Sequence, residues 1–163
     1  MPIEYPPVLD ACCGSRMFWF DKEDARALFQ DIRTEEYLLK DSSSSGGHRK
    51  LSIAPDRVVD FTDMPYPDNV FKLVVFDPPH FRRNGSTGWM AKKYGTLTDD
   101  WQKVISDGFL ECFRVLAAGG ALVFKWCATE IPVSKVLALT EHKPLFGHKS
   151  GKQQNTHWIC FIK

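Results

Sequence analysis

The segment LVVFDPPHF, Leu73–Phe81, starts as an apolar run and ends in a carboxylate, two prolines and two flat rings. With the preceding residues it extends to FKLVVF, Phe71–Phe76, a strand buried by composition. A short run that is apolar on both faces belongs inside a parallel sheet covered on two sides. Asp77 then stands at the strand's carboxyl end, and Pro78 and Pro79 fix φ over the next two residues.

Other segments repeat this pattern. Val8–Cys12 (VLDAC) reads as a strand carrying Asp10 and running into a Cys-Gly-Ser turn. Arg26–Arg33 (RALFQDIR) has a β-rich centre followed by Asp31, and Arg57–Phe61 (RVVDF) reads as a third strand with Asp60 near its end. EYLLK and KLSI can pair as a hairpin across the Ser-Gly-rich stretch Asp41–Lys50. Residues His80–Thr98 show neither helical nor strand period, and a loop of that length in a compact domain is usually functional or disordered. Trp101, Val104, Ile105, Phe109, Cys112, Phe113 and Leu116 fall at helical spacing, with Asp99 and Asp100 before them and Gly119–Gly120 as the stop. Ala121–Trp126 gives a fifth strand, Pro132 opens a second helix, and the tail THWICFIK follows the loop GHKSGKQQN as a last, antiparallel strand. Strands alternating with helices predict an α/β fold with a mostly parallel central sheet, an antiparallel C-terminal strand and helices on both faces. Ligands in such sheets sit beyond the carboxyl ends of the strands, where Asp10, Asp31, Asp60 and Asp77 all fall.

The 163 residues suit one domain spanning 1–163. A net charge of +1 gives no global pull toward nucleic acid or membrane. The charge is uneven, however. Pro78–Thr98 holds Arg82, Arg83, Lys92 and Lys93 without an acid, and His142–Lys163 holds four lysines without one. Five cysteines with no C-x-x-C argue against a zinc site or a disulfide framework and suit buried thiols in a reducing cytoplasm. No secretory leader is visible, and no apolar run nears the ~20 residues of a membrane helix. Neither metal nor membrane is therefore expected as a partner.

With these residues in place, the chain resembles class I S-adenosylmethionine-dependent methyltransferases, and most closely the amino-methyltransferases. VLDACCGS is similar to their first motif, and VVDFTDMPYPDNVFKLVVFDPP to the stretch leading into D-P-P-H. RVLAAGGALVF resembles their passage from helix to fifth strand. CCGSRMFWFD and FDPPH are also similar to small stand-alone phage or prophage enzymes.

The resemblance implies a Rossmann-like class I methyltransferase fold with S-adenosylmethionine as cofactor. It makes Asp77, Pro78, Pro79 and His80 the catalytic group. The Asp77 carboxylate and the Pro78 carbonyl accept hydrogen bonds from an amino nitrogen, and the His80 ring, assisted by Phe81, stacks on the substrate. For the cofactor it implies Asp10, Cys12, Cys13, Gly14, Asp31, Asp60, Phe61 and Asp77. Asp10 orients the glycine loop or the methionine amino group, Asp31 meets the ribose or pairs with Arg33, and Asp60 contacts adenine or caps its own turn. Phe81, Arg82, Arg83, Trp89 and Lys125 are the candidate substrate contacts. Arg82, Arg83, Lys92 and Lys93, interleaved with Phe81, Trp89 and Tyr94, suit nucleic acid. Met17–Phe20 reads as core.

The implied acceptor is a base amino group of DNA or RNA, adenine N6 ahead of cytosine N4. Glutamine-amide methylation of a protein is the alternative within the enzyme class. A cofactor-binding but inactive subunit is the alternative outside it, motivated by Arg16 in place of the last motif glycine and by the absence of room for target recognition. Arg16 would either clash with cofactor or reach its carboxylate. A protein partner could supply target recognition.

Overall fold

The computed structural model describes residues 4–82 and 88–163. Strands β1 (Val8–Asp10), β2 (Ala27–Asp31), β5 (Arg57–Val58), β6 (Phe71–Phe76), β7 (Leu116–Cys127), β8 (Phe146–Ser150) and β9 (Thr156–Ile162) form one sheet in the order β5-β2-β1-β6-β7-β9-β8. The strands from β5 to β7 are parallel, while β9 runs antiparallel to both β7 and β8. The expected hairpin forms a separate two-stranded sheet of β3 (Glu35–Lys40) and β4 (His48–Ile53), pairing Tyr37 with Leu51 and Leu39 with Arg49.

One face of the sheet meets the helix α2 (Trp101–Val115), which buries Ile105, Phe109, Cys112 and Phe113. Opposite them stand Leu122, Phe124 and Trp126, alternate residues of β7 that are all fully buried. Phe109 packs 4.8 Å from Phe124 and 5.5 Å from Phe76 between ring centroids. Gly108 lets the helix come this close. A Cβ there would lie 2.6 Å from Phe76 Cζ and 2.8 Å from two atoms of the Phe61 ring. On the face away from α2, β1 and β2 are covered by Cys13 and Trp19, from a turn-rich segment that carries no helix.

Several expectations need correction. Helix α2 stops at Val115, before Gly119–Gly120, because Leu116 turns extended and pairs with Phe71. The carbonyls of Arg114 and Val115 accept the amides of Asn69 and Val70, so sheet pairing takes over where the helix ends. The third strand shortens to Arg57–Val58, since the Asp60 carboxylate accepts from Thr62 N and Oγ1 and closes a turn. Within His80–Thr98 there is a short helix, α1 (Trp89–Tyr94), too brief to show a hydrophobic period. Pro132 precedes helix α3 (Val133–Leu137) rather than opening it. Gly147–Ser150, assigned to a loop, lies in β8. Met17 and Phe20 are exposed, so Met17–Phe20 is core only in part. All five cysteines are free. Among the described residues no helix is long and apolar enough to cross a membrane, and no cluster of three metal-ligating side chains occurs.

Candidate active site

The carboxyl ends of β1, β2, β6 and β7 converge on a cavity of about 160 Å³. It gathers Cys12, Cys13, Gly14, Asp31, Phe61, Asp77, Pro78, Pro79, His80 and Lys125 from the residues singled out in the sequence. It also holds Lys93 and Tyr94, expected among the nucleic-acid contacts, and Phe18, Ile32 and Arg33, which sequence reasoning missed as site residues.

Asp77 leaves β6 directly opposite Lys125 of the neighbouring β7, because the register pairs Phe76 with Phe124. Lys125 Nζ lies 2.9 Å from Asp77 Oδ2, and both side chains are mostly buried. The ammonium also lies 5.4 Å from the ring centroids of Phe18 and Trp158, which meet edge to face. The other carboxylate oxygen, Asp77 Oδ1, is buried and makes no hydrogen bond among the described residues. Such an acceptor is costly to leave unpaired and marks a place for a donor.

His80 is buried, with its ring 4.6 Å from Phe81, 5.8 Å from Trp126 and 6.0 Å from Tyr94. Burial depresses its pKa, opposed by Asp77 and reinforced by Lys125, so the ring is neutral near pH 7. Its Nδ1 lies 3.3 Å from the Pro78 carbonyl, a contact that requires the proton on Nδ1.

The glycine loop hangs from two acids. Gly14 takes φ +50°, a conformation open to glycine at little cost, and its amide donates to Asp31 Oδ2 at 2.8 Å. Asp31 Oδ1 accepts the Arg33 amide at 3.0 Å and meets its guanidinium at 3.4 Å. Arg33 also donates to the Lys92 carbonyl at 2.8 Å, fastening the end of α1 over the cavity. Asp10 lies beneath the cavity, wholly buried, and accepts Trp19 Nε1 at 2.7 Å and the Cys12 amide at 3.4 Å. Burial pushes its carboxyl up to about 7, with Asp77 and Asp31 adding to the rise against the Trp19 bond. The same burial raises Cys12 and takes Cys13 to about 12, so neither thiol is a ready nucleophile.

The remaining candidates lie apart from the cavity. Asp60 is exposed and capping its turn, although Phe61 beside it lines the cavity. The Arg82 amide donates to Glu130 Oε2, and its guanidinium meets Asp99 at 3.3 Å. Trp89 lines a neighbouring groove. Phe81 reaches the site through its ring contact with His80, and its carbonyl accepts the Leu97 amide. Arg83 lies outside the described residues. Arg16 neither clashes with the cavity nor reaches into it. It holds φ +55°, pairs with Asp56 at 3.0 Å, donates to the carbonyls of Lys22 and Ala54, and lies over the Phe29 ring.

No family model matches the chain, and no curated protein matches it. Among solved structures it is similar to the PH0226 protein of Pyrococcus horikoshii OT3, with TM-score 0.58 and 17% identity over 95% of this chain and 80% of that one. Shorter overlaps occur with a provisionally assigned SAM-dependent methyltransferase of Streptococcus mutans (TM-score 0.36, 14% identity, 57% of this chain and 25% of that one). SMU.776, provisionally assigned as a methyltransferase and complexed with SAH, gives TM-score 0.35 and 19% identity over 56% and 26%. These last two overlaps are partial and carry no weight for the fold. The likeness to the Pyrococcus protein agrees with the strand order in assigning the chain a Rossmann-like α/β fold.

Proposed function

We propose that the chain is an S-adenosylmethionine-dependent N-methyltransferase acting on the exocyclic amino group of a nucleic-acid base, adenine N6 ahead of cytosine N4. The observation that carries this reading is the divided Asp77 carboxylate: Oδ2 is held by Lys125, while Oδ1 is buried without a partner at the cavity. An amino group offers the N–H donor that such an oxygen lacks.

The residues around the cavity suit the cofactor. Gly14 supplies backbone in a conformation that brings no side chain, Asp31 a buried carboxylate for hydroxyls, and Phe61 and Ile32 apolar walls for a flat ring. A volume of about 160 Å³ is below the ~300–1,000 Å³ of sites for drug-sized ligands. Accommodation therefore moves the roof formed by Lys93–Thr96, which Arg33 fastens. When bound, the cofactor supplies an electrophilic methyl group.

The chain's own residues supply position. Asp77 Oδ1 accepts one amino N–H and the Pro78 carbonyl accepts the other, its second lone pair being available beside the His80 contact. Two acceptors held by prolines and a lysine favour a pyramidal nitrogen whose lone pair faces the methyl. The Asp77 carboxylate then lies on the route by which the nitrogen loses its proton. Among the rings at the cavity, Tyr94 and His80 offer stacking, worth about 1–3 kcal/mol per base. This is comparable with the few kcal/mol needed to extrude a base from its stack. Arg16, which motivated an inactive subunit, points away from the cavity.

The experiment is incubation with methyl-labelled cofactor and DNA, RNA or protein, followed by nucleoside analysis. Label in N6-methyladenine or N4-methylcytosine supports the reading, with Asp77→Ala losing transfer while cofactor affinity stays within a few-fold. Label confined to protein overturns it.

A further inference from the structure

A second depression lies beside the cavity, between the β3–β4 hairpin and helix α1. Its volume is about 530 Å³, and it shares Ser15, Met17 and Lys93 with the cavity, so the two adjoin. Lys22, Lys40, Arg49, Lys50 and Lys93 line it against one acid, Asp41. Lys50 is paired with Glu36 at 3.1 Å, and in a chain of net charge +1 the other four cations against one acid are still a strong local departure. The acid is engaged at the hairpin turn, where Asp41 Oδ1 accepts the amide and hydroxyl of Ser43. Trp89 stands in the same wall with 54% of its surface exposed, and Lys93 Nζ lies 5.2 Å from its ring centroid. An exposed indole among cations suits a polyanion that also carries flat rings.

We propose that this groove binds the single-stranded nucleic acid flanking the target base, with Lys40 and Arg49 on phosphates and Trp89 under a neighbouring base. The proposal rests on the base-methylation reading and deepens it by naming the strandedness of the substrate and its track. In a duplex the target base is stacked and paired, whereas a single strand can lead it from the groove into the adjoining cavity. The β3–β4 hairpin thereby supplies substrate grip beside the cavity.

The test is fluorescence anisotropy with a labelled oligonucleotide as single-stranded DNA, single-stranded RNA and duplex, titrated over a range of salt. Single strands are expected to bind more tightly than the duplex. The double variant Lys40→Gln/Arg49→Gln lowers affinity and makes the slope of log K against log salt shallower by about 1.4, at about 0.7 per lost phosphate contact. Trp89→Ala weakens single-strand binding about 5- to 150-fold. Lys135→Gln, an exposed lysine on α3, leaves slope and affinity unchanged. Thermal melts check that each variant folds, and calorimetry checks that cofactor affinity is retained. The groove assignment is overturned if the double variant binds like wild type, if Lys135→Gln has an equal effect, or if duplex binds as tightly as single strand. Methylation of an oligonucleotide with unchanged binding by the groove variants overturns the groove alone. Groove-dependent binding without base methylation overturns the base-methylation reading and leaves the groove as a binding site.

Discussion

Lys125 Nζ lies 2.9 Å from Asp77 Oδ2 across two adjacent parallel strands, and the opposite carboxylate oxygen is buried without a partner among the described residues. The pair sets the orientation of the acceptor. Lys125→Met leaves Asp77 without its counter-charge, and breaking a buried pair costs up to about 3–5 kcal/mol. With 15% and 17% of the two side chains exposed, the loss falls at the lower end. We expect kcat to fall by about 10²-fold, the penalty of misplacing a positioned group, with a small change in cofactor KM. Lys125→Arg should recover part of kcat. Steady-state kinetics on the three proteins check this; unchanged kcat in Lys125→Met would remove Lys125 from the site.

Asp10 gives the fold a pH dependence of defined sign. Its folded pKa of about 7 lies above the ordinary 3.8, so the folded chain binds the extra proton. The contribution is complete below about 4 and is lost as pH rises through about 7, with a span on the order of 4 kcal/mol. Asp10→Asn keeps an oxygen for Trp19 and cannot ionise. It should therefore gain melting temperature relative to wild type between pH 5 and pH 8. His80, with its pKa depressed by burial, works in the opposite direction, costing stability as pH falls through 6.5. Both proteins share that term, so it cancels in the difference. Parallel melting curves would contradict the assignment.

Gly108 links helix packing to the site. A Cβ at this position meets the rings of Phe76 and Phe61 inside 3.0 Å, and Phe61 lines the cavity. Gly108→Ala should cost about 1–3 kcal/mol through overpacking, less the helix propensity it gains. It should also weaken cofactor binding through the displaced Phe61. Gly119→Ala serves as comparison, because nothing lies within 4 Å of its Cβ and any loss there is backbone strain without a shift of Phe61. Chemical denaturation and calorimetry separate the two.

Arg33 fastens the roof through the Lys92 carbonyl while meeting Asp31. Arg33→Ala removes the fastening and the guanidinium beside Asp31, while the residue-33 amide still meets Oδ1. Cofactor association should become faster, with little loss of thermal stability for a partly exposed side chain. Stopped-flow binding monitored by Trp fluorescence checks the rate; a slower association would assign Arg33 to cofactor contact instead.

Much of this was legible from residue order. Asp31 and Asp77 stand where strands end, and both line the cavity. Asp60 shows the limit of that reasoning, since Thr62 two residues later engages it in a turn. The Asp77–Lys125 contact depends on which residues face each other across β6 and β7, a register that neither segment states alone. The signal for it is the phenylalanine that precedes each polar residue, Phe76 before Asp77 and Phe124 before Lys125. Trp19 on Asp10 was hidden in a run read as uniformly apolar, of which Phe20 is fully exposed. Helix α1 escaped notice because six residues make less than two turns.

Consecutive residues of β7 carry different duties: Lys125 reaches Asp77, and Trp126 fills the core with its Nε1 donating to the Ile131 carbonyl. A slip of one residue against β6 or β9 would send the lysine inward and the indole outward. No intermediate arrangement serves, because the alternation has a period of two. Turnover is thus a proofreading signal for the strand alignment: a chain folded out of frame by one step loses its core and its chemistry in the same event.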